Sequence, residues 1–299
     1  EIENGYPLGF LCLIIFSSIY LARDFARANK TILTKEREAK ELEIERKLLE
    51  AEDNRKAKEL SDARELQLSL LPQFDKNIGD YEFYFDMRTA SEVGGDYYDY
   101  SISENGDISI VIGDATDHGM KAGMMVSIVK SLFLTHVNNA KIIDFLTNCS
   151  HTIKQMKLKN LYMALMLLKI NDNVLTFSSA GIPPLLIHRK NENLVEEHKI
   201  KGMPLGAVDS FPYEIKKVKL NAYDTVLIMT DGLPELFNAE NESFGYDKIK
   251  DVFMRYASEP VNEIVNKLFL AGEEWLSGSK QNDDITLVAF RLIEERKVT

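Results

Sequence analysis

The chain has 299 residues, 45% hydrophobic and 28% charged, enough for at least one sizeable core and incompatible with a disordered or collagenous polymer. It carries 36 Lys and Arg against 47 Asp and Glu, a formal charge of -11 that repels phosphodiester backbones, so no nucleic-acid partner is expected. Two cysteines, Cys12 and Cys149, exclude a disulfide framework and a thiolate metal cage and fit a reducing compartment.

Residues 6 to 22 carry no charge, and this run is at the short end of what a helix needs to cross a bilayer. Glu1 and Glu3 precede it, and Arg23, Arg27 and Lys30 follow it, which by the positive-inside rule places the remainder in the cytoplasm. The expected localisation is therefore the cell inner membrane, with residues 1–22 as a transmembrane helix; a buried helix of a larger soluble domain is the alternative. Because Glu1 rather than Met stands first, this helix is read as the end of an upstream sensor. Residues 23–66 hold 12 basic and 12 acidic residues without Gly or Pro, a composition that favours helix. Leu42, Leu49, Ala63 and Leu70 fall on a seven-residue step that Lys56 interrupts, so a coiled coil and a solvated helix held by i,i+4 ion pairs both remain open over the 23–71 linker. Pro72 ends the helix by disfavouring the α conformation in the residue before it.

A globular domain is expected over residues 72–295. Residues 81–88, 107–114, 161–170, 174–181, 185–189, 225–232 and 284–292 read as strands, and 119–137, 141–157, 246–257 and 260–276 as helices. Asn171-Asp172-Asn173 between two strands is a hairpin signal, which favours antiparallel pairing over parallel crossovers. The fold class is α/β, with antiparallel sheets and helices outside.

Four acidic clusters mark strand ends or tight turns: Asp96, Asp114, Asp231, and Asp283 with Asp284. An unpaired carboxylate at the edge of a core is costly, and no Lys or Arg adjoins any of them in sequence. A metal would satisfy them together, and oxygen ligands suit Mg2+ or Mn2+ rather than Zn2+. Taken singly, each cluster reads equally well as a turn or a helix cap.

In order along the chain, GGDYYDY at 94–100, GDATDHGMKAGMM at 113–125, SSAGIPPLL at 178–186, MPLGAV at 203–208, TDGLPE at 230–235 and NDDITLV at 282–288 resemble the serial motifs of PP2C-type metal-dependent protein phosphatases. The likeness is to the bacterial branch typified by the stage II sporulation protein E phosphatase domain and the regulators of stress sigma factors. LQLSLLP at 66–72 looks like that branch's connector helix. The resemblance implies a PP2C-like sandwich of two antiparallel β-sheets flanked by helices, with two Mn2+ or Mg2+ ions. Asp114 matches the bridging ligand, Asp231 and Asp283 further ligands, Asp96 a ligand held partly through water, and Ala115 a backbone carbonyl donor. Asp284 is the alternative to Asp283, which the alignment on Ile285-Thr286 favours. The implied reaction is hydrolysis of a phosphoserine or phosphothreonine by a metal-bridged hydroxide, on a phosphorylated protein such as an anti-sigma-factor antagonist. A homodimer through the linker helix and regulation by a membrane sensor are also expected. His118 is either the proton donor to the leaving group or a cap of the following helix. Two positions depart from the branch: Asp117 stands where Gly usually precedes the His, and Ile182 where Gly-His usually precedes the Pro pair. A catalytically degenerate scaffold that binds a signalling partner is therefore the second reading. Gly94-Gly95-Asp96 also resembles the GGD turn of diguanylate cyclases, but the polar helix upstream lacks their context.

Overall fold

The computed structural model describes residues 5–72, 77–90, 93–138 and 140–293. Expectations that fall on Glu1, Glu3 and residues 294–295 lie outside the described residues. The chain divides into two units, Glu1–Glu59 and Leu60–Thr299. In the first, the described residues belong to helix α1 (Gly5–Leu70), which is long and apolar enough near its start to cross a membrane, with none of that window buried within the protein. Its charged part carries i,i+4 pairs such as Lys47 with Glu43 at 2.7 Å and Lys56 with Glu52 at 2.8 Å. Each exposed pair adds roughly 0.2–0.5 kcal/mol to the helix.

The second unit contains the last turns of α1 and a four-layer sandwich. One sheet runs β1 (Asn77–Ile78), β2 (Tyr81–Arg88), β11 (Ile285–Leu292), β10 (Thr225–Met229), β7 (Leu185–Arg189), β8 (Leu194–His198). The other runs β3 (Asp96–Ile102), β4 (Ile108–Ala115), β5 (Met163–Asn171), β6 (Val174–Ala180), β9 (Lys216–Lys219). Every pairing between these strands is antiparallel. Helices α2 (Met120–His136) and α3 (Ile142–Gln155) cover the second sheet, while α4 (Gly245–Tyr256) and α5 (Val261–Leu276) cover the first.

The central strands read as unbroken apolar runs because both of their faces are covered. On β5, Met166, Leu168 and Ile170 enter the core between the sheets, and Leu165 and Leu167 pack under α2 and α3. On β11, Val288, Phe290 and Leu292 face the other sheet, and Leu287 and Ala289 face α4 and α5. This two-residue alternation is the strand period. The expected hairpin forms with Asn171 opposite Val174, and Asp172 and Asn173 at φ 46° and 61° take the left-handed conformations that a two-residue turn requires.

β3, with its polar sequence DYYDYSI, and three short strands escape a reading by apolar runs. β1 and β8 are edges of one sheet and β9 is an edge of the other, with half-exposed polar sequences such as KKVK that carry no apolar alternation. Asp99 of β3 is buried and accepts hydrogen bonds from Tyr97 Oη at 2.9 Å and Lys130 Nζ at 2.6 Å, joining β3 to α2.

Candidate metal centre

Antiparallel pairing brings the acidic clusters to one end of the sandwich. Asp96 at the start of β3 is in register with Asp114 near the end of β4. In the facing sheet, β10 ends at Met229 opposite Leu287 of β11, so Thr230-Asp231 leaves beside the point where Asp283-Asp284 enters. Asp96 links the two sheets. It is 2% exposed, and its Oδ2 accepts hydrogen bonds from Thr286 Oγ1 at 2.6 Å and Thr230 Oγ1 at 2.9 Å. Burial, then the charge of Asp114, raises the Asp96 pKa well above the usual carboxylate range.

Asp114 lies beside a tight backbone approach. A Cβ on Gly95 would stand 2.8 Å from the Ala115 carbonyl oxygen and 3.1 Å from Asp114 Oδ1, so only glycine leaves this corner open. Burial and the neighbouring Asp231, Asp283, Asp284 and Glu235 push the Asp114 carboxyl up to about 8. Burial and Glu235 raise Asp231, whose buried Oδ1 has no hydrogen-bond partner among the described residues. Asp283 is raised by burial and by the charges of Asp231 and Asp284, against the hydrogen bond it accepts from the Asp284 N–H and the smaller lowering effect of His118.

The adjacent acids of the last cluster behave differently. Asp284 is 4% exposed, and its two oxygens are taken by backbone N–H groups, Oδ1 by Ala90 and Oδ2 by Gly95, each at 2.7 Å. A Cβ on Gly94 would meet Asp284 Oδ2 at 2.2 Å, and one on Gly232 would meet the Asp284 carbonyl at 1.8 Å. Asp284 thus fastens the entry to β3 and the turn after β10 around itself, while Asp283 is exposed in the cleft.

That cleft, about 320 Å³, is lined by Asp114, Ala115, Thr116, Asp117, His118 and Asp283, among others. His118 is exposed there and does not cap α2, whose N-cap is Gly119 with no side-chain capping bond. Asp117 has φ 76°, the left-handed region that favours glycine and that Asp tolerates, and it accepts the His118 N–H at 3.0 Å and pairs with Lys121 at 3.1 Å. The chain thereby keeps a glycine-type turn without the glycine. Ile182 is buried in the core between the sheets and lines a second cleft of about 430 Å³ that reaches Asp231 and Glu235.

Among the described residues, no three His, Cys, Asp or Glu side chains form a ready ligand group. What the site offers is a set of mutually repelling carboxylates, a buried orphan oxygen on Asp231 and a glycine-bounded opening beside Asp114 and the Ala115 carbonyl. Oxygen donors short of positive charge fit hard divalent cations such as Mg2+ or Mn2+.

Residues 104–293 match the family model described as stage II sporulation protein E. The chain belongs to the SpoIIE family. Two curated relatives of this SpoIIE-family chain are protein IcfG of Synechocystis, 24% identical over 80% of this chain and 42% of its own length, and phosphoserine phosphatase RsbU of Bacillus subtilis, 22% identical over 68% and 60%. The chain thus spans less than two thirds of either. Its fold is that of PP2C phosphatase domains: the SiaA PP2C domain of Pseudomonas aeruginosa superposes with a TM-score of 0.71 at 22% identity, covering 80% of this chain and 98% of that one. RsbX, solved in complex with magnesium, superposes with a TM-score of 0.56 at 15% identity, covering 74% of this chain and 98% of its own.

Sequence reasoning did not assign Thr230, Thr286, Glu235 or Gln67. The threonines stand inside quoted motifs but read as ordinary strand residues. Gln67, on the last turns of α1, is buried and makes a two-way bond with Gly94: its Nε2 donates to the Gly94 carbonyl at 2.8 Å and its Oε1 accepts the Gly94 N–H at 3.0 Å. Only its place in LQLSLLP singled it out.

Proposed function

We propose that this chain is a metal-dependent protein serine/threonine phosphatase that hydrolyses phosphoserine or phosphothreonine on a regulatory protein. The observation that carries this reading is the buried Asp231 Oδ1, without a hydrogen-bond partner among the described residues, beside an Asp114 whose proton is held up to about pH 8 by burial and by the surrounding acids. Asp114, Asp231 and Asp283 would hold the cations, the Ala115 carbonyl would add a neutral oxygen, and Asp96 would act from the position its two threonine hydroxyls impose. Two divalent cations bound there would lower the pKa of a water and neutralise phosphoryl oxygens. Asp284 keeps the converging turns in place, and His118, in the same cleft as Asp114 and Asp283, is positioned to return a proton to the departing serine or threonine oxygen.

Magnesium in RsbX and the phosphoserine activity in the name of RsbU support the metal and the substrate class. By the same likeness the substrate is a phosphorylated anti-sigma-factor antagonist. The apolar start of α1 anchors the chain in the inner membrane with the sandwich on the cytoplasmic side, and the charged remainder of α1 pairs with a second copy. Gln67 supplies the route for regulation, since it connects α1 to Gly94, two residues before Asp96.

The test is Mn2+-dependent hydrolysis of p-nitrophenyl phosphate by the full chain in detergent, with Asp114→Asn and Asp231→Asn alongside. Each variant is expected to lose activity by about 100-fold or more, the scale of removing a main source of transition-state charge stabilisation. Equal rates in the parent and both variants would overturn the enzymatic reading.

A further inference from the structure

The cleft of about 430 Å³ that reaches Asp231 is also lined by the segment that follows β8. After β8 the backbone is fixed at two points. Ile200 is buried in the core between the sheets, and Gly202 packs so closely that a Cβ there would stand 2.0 Å from the Ser179 carbonyl oxygen. On either side of Ile200, Lys199 and Lys201 are exposed and line the cleft together with Pro183, Pro184 and Tyr246. The Lys199 carbonyl accepts the Lys216 ammonium at 2.7 Å, a further restraint on this stretch.

The charges of this rim do not cancel internally. Glu197, which shares the cleft, is paired with Lys250 at 3.2 Å, whereas the Lys199 and Lys201 ammonium groups have no ion-pair or hydrogen-bond partner among the described residues. Two free cations on a restrained backbone therefore line a cleft that also reaches Asp231 of the carboxylate site. In a chain of net charge -11, an acidic partner is repelled by the molecule as a whole and needs a local positive patch to dock.

We propose that this cleft receives the substrate polypeptide beside its phosphorylated residue, with Lys199 and Lys201 pairing acidic side chains that flank the phosphoserine or phosphothreonine. The proposal depends on the phosphatase reading of the carboxylate site and specifies which phosphoproteins that site accepts. Pro183, Pro184 and Tyr246 give the cleft a stiff wall against which an extended segment lies. Because the lysines are solvent-exposed, their selectivity is screened by salt within a Debye length of about 8 Å at physiological ionic strength.

Binding of fluorescent peptides to the full chain in detergent tests this directly. The peptides carry a non-hydrolysable phosphonate mimic of phosphoserine, flanked either by Asp and Glu or by neutral residues. The Lys199→Ala/Lys201→Ala double variant is expected to weaken the acidic-flank peptide about tenfold, the scale of losing two partly exposed ion pairs. It should leave the neutral-flank peptide and the rate on p-nitrophenyl phosphate unchanged, and Lys199→Arg/Lys201→Arg should retain the preference. Equal weakening of both peptides would assign the lysines to the phosphate itself, and no weakening would assign them no part in docking; either result overturns the proposal. A parent chain that shows the lysine-dependent preference yet does not hydrolyse p-nitrophenyl phosphate would keep the docking site and reject the phosphatase reading.

Discussion

Asp96 and Asp114 show how individual side chains are kept in states that water would not allow. Asp96 is enclosed and bonded by two threonine hydroxyls, so its orientation is set before anything binds. Groups that orient a ligand are worth roughly 10–100-fold in metal affinity. Thr286→Val is accordingly expected to weaken Mn2+ binding by that factor in isothermal titration, with the circular dichroism spectrum unchanged. Asp96, Asp114, Asp231 and Asp283 are all raised and together make stability depend on pH, and Asp114 shows the sign. Its carboxyl ordinarily loses its proton near pH 3.8 but holds it to about 8 in the fold. Between those values the native state binds more protons than the unfolded chain, so this group's contribution to stability is full below pH 3.8 and is lost as pH rises through about 8. Without divalent ions the urea midpoint should be lower at pH 8 than at pH 5. Mn2+ should narrow the gap by stabilising the ionised carboxylates, and Asp114→Asn should make the slope shallower, leaving the share of Asp96, Asp231 and Asp283; a slope unchanged in this variant would remove Asp114 from the pH dependence.

At the scale of elements, the site depends on turns that approach one another more closely than side chains permit. Gly94 and Gly232 surround Asp284 at distances that no Cβ could share, and Gly95 does the same for the Ala115 carbonyl beside Asp114. The end of α1 enters this arrangement through Gln67, whose amide satisfies both the N–H and the carbonyl of Gly94. Gln67→Ala leaves two buried backbone groups without partners, at a cost of about 1–3 kcal/mol each. Denaturant unfolding should show this loss, and Mn2+ titration should show weaker binding if α1 sets the geometry of the β3 entry. Unchanged Mn2+ affinity in a destabilised Gln67→Ala protein would reduce α1 to a structural strut. The Asp99 and Lys130 pair ties α2 to β3, so the helix that follows the Asp114 loop is fastened to the strand that carries Asp96.

For the whole molecule, the acidity concentrates in the globular part: after Pro72 there are 24 basic and 33 acidic residues. Repulsion among the carboxylates at one end of the sandwich opposes folding, and bound cations relieve it, so the divalent ion should raise the unfolding temperature more than monovalent salt does at equal ionic strength. The N-terminal helix poses a separate question. A charged residue at the centre of a spanning helix costs roughly 2.5–3.5 kcal/mol. The chain is expected to float with phospholipid vesicles in a density gradient, and Ile15→Lys with Phe16→Lys should leave it at the bottom. Flotation of both proteins alike would mean that residues 6–22 are not what holds the chain to lipid.

Much of this architecture was written locally. Apolar runs such as ISIVIGDA and ITLVAFRL specify strands covered on both faces, Asn171-Asp172-Asn173 specifies a tight hairpin, and the charged, Gly-free stretch before Pro72 specifies a helix. The order of the acidic motifs named the family, because that order is a property of the chain itself. Folding alone decided what depends on residues far apart in sequence. Thr230 and Thr286 became the partners of Asp96 across 134 and 190 residues, and Asp284 turned to backbone N–H groups while its neighbour Asp283 stayed in the cleft. Edge strands such as KKVK and the lysine rim beyond β8 were equally silent, since their identity comes from what they lie against rather than from any periodicity of their own. Periodicity reports the face a residue turns to its own element's surroundings; which distant group occupies those surroundings is fixed only when the sheets close on each other.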